Sequence, residues 1–348
     1  MSAMHSCHIL LGGRDRPVSQ LRLDELASVR LRSYPAGLAL EEAGWAVSSG
    51  DHVPKHVNTV IVGKIPISDL ENRAPHWISE LKEVKRRGGE VVIDYTDHHL
   101  DADHYLGVES AKKPFYQEAF EIADRCVVSH NELSKELQTS GACHGSKIQA
   151  IEDHIEYEIR EPREPSDDPA NWSAIWFGHG TNFDFLMHLC ASWPESAPRN
   201  LYIVSSEEVH DFIRSGKLYA SRPLQIHFCE WSPSALAKVA MAADIAIIPS
   251  SFKSRKQFAS SNRLATSLIL GLPTVATPIP SYREFEEYFF ELGTPSATAL
   301  FENPRLGHEQ VRHFQDQFAS RFSLASLKGA WLNNITGATK AGTMSQMP

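Results

Sequence analysis

The sequence predicts an α/β protein made of two doubly wound halves, each a parallel sheet covered by helices, and three observations carry that reading. Short apolar runs alternate with amphipathic stretches along all 348 residues, the rhythm of parallel strands joined by helices rather than of a sandwich or a bundle. A chain of this length is about two domains by size and can bury two cores. Residues 156–171, EYEIREPREPSDDPAN, break the rhythm with three prolines and many charges, as a linker does.

In the first half the expected strands are Cys7–Leu11, Ala46–Ser48, Val57–Val62, Glu90–Ile93, Cys126–Val128 and Ile148–Ala150. Helices are expected at Arg30–Ala43, Trp77–Arg87, Lys113–Ile122 and Glu132–Gln138, with Gly88 and Gly89 stopping the second of them. In the second half the expected strands are Ser173–Phe177, Leu201–Val204, Leu224–Phe228, Ile245–Ile248 and Thr274–Ala276. Phe183–Cys190, Ser206–Ser215, Pro233–Ala242 and Arg263–Leu270 fill the intervals as helices. The domains are expected at 1–160, 161–322 and a C-terminal helix and disordered tail at 323–348, Thr336–Pro348 reading as disordered by composition. Open α/β sheets bind ligands at the carboxyl ends of their strands, so the site is expected between the halves.

Composition narrows the function. Hydrophobic content of 42% and charged content of 22% are those of an ordinary globular protein. The formal charge of −9 argues against a nucleic-acid partner. Five scattered cysteines with no CxxC pair point to a reduced, cytoplasmic setting. No signal peptide or membrane span is visible, although Arg14, Arg16, Arg22, Arg30 and Arg32 leave peripheral membrane contact open. Most of the 17 histidines have no patterned partner.

The most informative stretch is Ala243–Phe285. A helix opens near Ser260, Ser261 and Asn262, favoured N-cap types, at the end of a loop carrying Lys253, Arg255, Lys256 and Arg263. Backbone N–H groups, the helix dipole and four cations converge there, and a phosphate is the natural guest. Arg263 or Lys256 would neutralise the charge of a leaving phosphate; a solvated basic loop beside a helix cap is the plainer account.

The order AD-I-A-I-I-P-S, K-Q-F-x-S-S-N-R-L, G-L-P-T-V-A-T, S-Y-R-E-F resembles the donor half of GT-B-fold glycosyltransferases, most closely those similar to family 4. Val91–Asp97 resembles the acceptor-half strand ending D-x-x-D, and Ala123–Ser129 its AD-x-x-V-x-S strand. The resemblance spans roughly residues 28–290 and implies two Rossmann-like domains facing a cleft, with the last helices crossing back to the first half. It also implies sugar transfer from a nucleotide-sugar co-substrate to a glycan, lipid-linked or small-molecule acceptor, with retention, no tightly bound cofactor and no metal. Rival readings are a sugar-nucleotide epimerase or hydrolase, and a non-catalytic binding protein.

The resemblance distributes roles. Gly178, His179 and Gly180 match a turn that approaches the donor, without the family's Arg and Lys there. The family's glutamate pair falls on Phe258 and Thr266, so Thr266 would replace a ribose-binding carboxylate. Tyr282 and Glu284 would line the donor site, with Glu284 taking part of the missing glutamate's role unless it only opens a solvated helix. Gly12, Gly13 and Arg14 resemble the acceptor loop. Asp94, Asp97 and His98, at a strand's carboxyl end, would orient or deprotonate an acceptor hydroxyl, with Asp97 the catalytic candidate. Helix capping, or a metal held by Asp97, His98, Asp101, Asp103 and His104, are the other readings of that segment.

Overall fold

A computed structural model describes residues 5–13, 15–65, 67–100, 112–252 and 255–337. Arg14, Asp101, Asp103, His104, Lys253 and the tail from 338 lie outside the described residues, as does the Arg255 side chain. The chain divides into two compact units, Met1–His154 with Phe322–Pro348, and Ile155–Arg321.

In the first unit the order is β1 (Ser6–Leu10), α1 (Val18–Leu21), α2 (Tyr34–Glu42), β2 (Ala46–Gly50), β3 (Thr59–Val62), α3 (Ile67–Arg86), β4 (Glu90–Tyr95), α4 (Lys112–Ile122), β5 (Arg125–Val128), α5 (Asn131–Thr139) and β6 (Ile148–Ala150). The strands form one parallel sheet in the order β2-β1-β3-β4-β5-β6. β1 and β3 are buried at every residue, as strands covered by helices on both faces are, and they carry apolar side chains on both faces rather than alternating.

The second unit holds β7 (Ser173–Phe177), α6 (Phe183–Ala191), β8 (Asn200–Ser205), α7 (Glu207–Arg214), β9 (Gln225–Glu230), α8 (Pro233–Ala240), β10 (Ile245–Ile248), α9 (Asn262–Ile269), β11 (Thr274–Ala276), β12 (Phe290–Glu291), α10 (Pro295–Glu302) and α11 (His308–Phe318). Its parallel sheet runs β12-β11-β10-β7-β8-β9. Apolar side chains on the two sides of this sheet form separate clusters, one around Trp176, Phe183 and Leu201, the other around Ile175, Val204 and Leu236.

The chain then returns to the first unit as α12 (Leu324–Thr336). Leu327, Trp331 and Ile335 of α12 complete the core formed by β1, α2 and their neighbours.

Several expectations are corrected. The boundary falls after His154 rather than at 160. The expected linker is instead docked on the second unit: the Arg160 backbone N–H donates to Ile269 O at 2.9 Å and its Nη1 to Ala237 O at 2.5 Å. Gly271 makes that docking possible, because an added Cβ would lie 2.6 Å from Arg160 O and φ is +82°. α3 begins ten residues earlier than expected, at Ile67 instead of Trp77, and carries Pro75 inside it; the proline removes one backbone donor without ending the helix. Thr336, read as the start of the tail, closes α12, and Gly337 caps it at φ 69°.

His8 shows how burial sets a pH response. It lies on β1, 1% exposed, with Nδ1 2.9 Å from Ser48 Oγ on β2. Burial lowers its pKa from 6.5 to about 4. Between those values the unfolded chain binds a proton that the native chain refuses, so stability rises with pH there and is lost as pH falls. The first unit is expected to lose up to about 3 kcal/mol between pH 6.5 and 4 from this group. Urea unfolding at several pH values checks it: His8→Gln should flatten the slope, and an unchanged slope contradicts the assignment.

Candidate functional site

The second sheet has its topological switch between β10 and β7, since the chain runs outward from β7 through β8 to β9 and returns to the other side with β10. The loops leaving β7 and β10 therefore meet at the carboxyl ends of adjacent strands, where doubly wound sheets bind ligands. One loop is Gly178–Asn182; the other ends in α9.

The first loop is held by bonds from both main chain and side chains. Gly178 N–H donates to Val204 O at 3.2 Å, and Ser205 Oγ donates to Gly178 O at 2.7 Å. His179 Nδ1 accepts from Thr181 N–H at 3.2 Å, forming a tight turn. A Cβ added at Gly178 would sit 3.3 Å from Arg263 Nη1, so that the guanidinium would have to shift by a few tenths of an ångström, and 3.5 Å from the Trp176 ring. At Gly180 it would lie 3.5 Å from Ser206 Oγ and 3.7 Å from Glu208 Oε2.

Arg263 is thus brought directly over the glycine turn from the first turn of α9. Its guanidinium charge lies beside the buried Tyr282 hydroxyl, and Ser281 Oγ donates to Ala259 O at 2.7 Å, tying down the loop that precedes the helix. Burial pushes the Tyr282 phenol up, with the Arg263 charge pulling the other way. Among the described residues Arg263 Nη1, itself buried, has no hydrogen-bond partner, and neither have Trp176 Nε1 and Ser206 Oγ. Buried polar groups are rarely left unsatisfied, and these three border the same two glycines. Lys256 Nζ reaches Thr181 Oγ1 at 3.5 Å, adding a second cation above the turn. Ser261, the N-cap residue, makes no side-chain capping bond, so its hydroxyl does not compete for the N–H groups of the first turn. The arrangement offers donors and positive charge to an anion.

Other donor-site assignments are corrected. Thr266 is 3% exposed inside α9 and cannot reach a ribose. Tyr282 is equally buried and touches Arg263, so it positions the cation instead of contacting a ligand. Both Glu284 oxygens are taken by Arg321, with Nη2 at 2.9 Å. Ser260 and Asn262 do flank the helix start as expected.

In the first unit the switch lies between β1 and β3. Gly12 and Gly13 follow β1, Lys64 follows β3, and Asp97 follows β4. Lys64 Nζ and Asp97 Oδ2 are 2.6 Å apart and both side chains are about one-third exposed, at 31% and 32%. Asp97 is therefore accessible.

Asp94 and His98 are not. Asp94, 2% exposed, accepts from Arg32 Nε at 2.8 Å, while Arg32 Nη1 donates to Ile151 O at 2.6 Å and to Asp153 Oδ1 at 3.0 Å. Burial opposes the Arg32 charge, but Asp94 and Asp153 outweigh it and hold the guanidinium above its usual range. Its face lies 5.7 Å from the centre of the Trp331 ring. Arg30 and Arg32, read as part of a basic stretch open to peripheral membrane contact, sit on a wide π-helical turn, Val29–Ser33, and both are buried. His98 is buried with Nε2 3.9 Å from Glu136. The acceptor carboxylate reading is left to Asp97.

Sequence reasoning passed over Trp176, Ser206, Glu208 and Lys64. Lys64 alone had a local signal, a lone lysine just past the apolar run Val60–Val62. The others acquire meaning only from what the fold sets beside them.

Among the described residues no helix is long and apolar enough to cross a membrane. The sequence matches no protein-family model and no curated protein. Solved structures do match. S. aureus TarM superposes with a TM-score of 0.54 at 12% identity, covering 80% of this chain and 55% of TarM. A TarM variant in complex with fondaparinux, α-GlcNAc-glycerol and UDP gives the same values. OtsA, without ligand, also has a TM-score of 0.54, at 8% identity over 98% of this chain and 100% of its own. The chain spans about half the length of the TarM chains. At these identities the likeness speaks for architecture: the chain has the α/β GT-B-like fold, with two Rossmann-like units, each built on a six-stranded parallel sheet.

Proposed function

We propose that this protein is a glycosyltransferase whose second unit holds a nucleotide sugar by its phosphates and whose first unit serves a hydroxyl-bearing acceptor, a glycan, a lipid-linked sugar or a small molecule. One observation carries the reading: the orphaned, buried Arg263 Nη1 over Gly178, at the switch point of the donor-like sheet. The TarM complex, with UDP and α-GlcNAc-glycerol, supports a sugar-nucleotide ligand on this fold.

In this reading the bond between the anomeric carbon and the diphosphate oxygen breaks, and negative charge grows on the leaving phosphate. Arg263 and Lys256 neutralise it, with the α9 start and the backbone of Gly178–Gly180 supplying N–H donors. Preset groups of this kind reorganise little as charge develops, and each is worth about 2.7–4 kcal/mol in comparable sites. Glu208, beside Gly180, is the carboxylate available to sugar or ribose hydroxyls in place of Thr266 and Glu284. Asp97, held by Lys64, orients the acceptor hydroxyl or takes its proton. Retention and independence of a catalytic metal follow from the family 4 resemblance. The experiment is to supply nucleotide sugars with and without an acceptor panel and measure the nucleoside diphosphate released.

A further inference from the structure

We propose that His52, His76 and Glu80 form a binding site for a divalent transition metal of the zinc class on the first unit, a site that does not depend on the sugar-transfer reading. Among the described residues, these three have one ligand atom each within 4.8 Å of one another. The separations are sharper than that limit. His76 Nε2 lies 3.3 Å from His52 Nδ1 and 3.2 Å from Glu80 Oε1, and His52 Nδ1 lies 3.7 Å from the same oxygen. Tetrahedral zinc, with bonds of about 2.0–2.2 Å to nitrogen and oxygen, separates its ligand atoms by about 3.3–3.5 Å. An ion about 2 Å from all three atoms fits the triangle almost without rearrangement, and the exposure of both rings, 66% and 54%, leaves a fourth position to water.

The fold holds this triangle in place. His76 and Glu80 stand one turn apart on the same face of α3. His52 is delivered by the residues leaving β2, and two bonds lock that exit to the helix. Asp51 O accepts from the indole N–H of the fully buried Trp77 at 2.7 Å, and Val53 N–H donates to Glu80 Oε2 at 3.3 Å. The second bond leaves Oε1 turned to the imidazoles. Asp51, paired with Arg73, sets its Oδ1 3.7 Å from His52 Nε2, on the far side of the ring from the triangle. Carboxylates in that outer position orient metal-bound histidines elsewhere. Two imidazoles and one carboxylate favour zinc, copper, nickel or cobalt over magnesium or calcium. A bound ion would staple the β2 exit to α3.

The test uses tag-free, chelator-stripped protein and zinc alone. Equilibrium dialysis should find one tight ion per chain, accompanied by a higher melting temperature that magnesium does not reproduce. With 17 histidines in the chain, loose binding elsewhere is expected, so the variants decide. His52→Gln and His76→Gln, both at exposed positions, should each weaken the tight site by about 100-fold or more, and Asp51→Asn by about tenfold. Glu80→Gln supplies a third variant should one of these fold poorly, and melting in chelator shows which are intact. Cobalt should give the intense visible bands of a tetrahedral site in the wild type and lose them in His76→Gln. Absence of a tight ion in the wild type, or equal zinc affinity in folded His52→Gln and His76→Gln, overturns the proposal and leaves a hydrogen-bonded surface cluster only.

Discussion

Arg263→Ala is expected to weaken nucleoside diphosphate binding by about 10- to 100-fold while leaving the melting temperature of the ligand-free protein nearly unchanged. The two halves of that expectation have different causes. A charge-assisted hydrogen bond from a guanidinium to a phosphate contributes about 1.5–3 kcal/mol, and among the described residues Arg263 Nη1 has no partner to lose. Losing Nη1 costs the fold little because no described residue satisfies it; any fall in melting temperature reports the buried Tyr282 hydroxyl, which loses the neighbouring charge. Arg263→Lys should recover only part of the affinity, since the ammonium keeps the charge but not the planar fork that Tyr282 aligns. Titration calorimetry measures the affinity and scanning calorimetry the fold. Wild-type affinity in Arg263→Ala would remove the basis of the phosphate assignment.

Asp94→Ala is expected to act in the opposite sense, destabilising the first unit by about 3–5 kcal/mol, the usual cost of removing one partner from a buried ion pair. Arg32 is 0% exposed and cannot swing to water. Without Asp94 it keeps Asp153 and the Ile151 carbonyl, so its charge is less compensated rather than bare. Arg32→Met with Asp94→Asn removes the buried cation as well and should cost less than the sum of the two single changes. Urea unfolding followed by circular dichroism distinguishes the outcomes. A loss below about 1 kcal/mol for Asp94→Ala would mean that the pair is not a stability determinant.

How much of this was legible depended on whether the signal was local. β6, β7, β10 and β11 were read with the bounds the structure gives them; for β7, β10 and β11, buried at every residue, the signal is a mainly apolar run between turns. β12 was missed, since two residues, Phe290–Glu291, carry no period. Pro75 hid the first turns of α3. The charged, proline-rich text of 156–171 was read as a linker because composition does not reveal that Gly271 leaves room for that segment to dock. At the candidate site, the glycine turn and Arg263 were each visible as motifs, but their contact was not. Pairings across the chain were illegible altogether: Arg32 finds Asp94 62 residues away and Asp153 121 away, and Lys64 finds Asp97 33 away. Asp94 and Asp97, indistinguishable in sequence, are separated by burial alone.

The most direct measurement of the central claim is nucleoside diphosphate release from nucleotide sugars by the wild type and by Arg263→Ala, with and without acceptors. Sugar transfer from a donor gripped at Gly178 and Arg263 predicts release that requires an acceptor and falls by about 100- to 1,000-fold in the variant. Release that proceeds equally without any acceptor, or at the wild-type rate in Arg263→Ala, would contradict it.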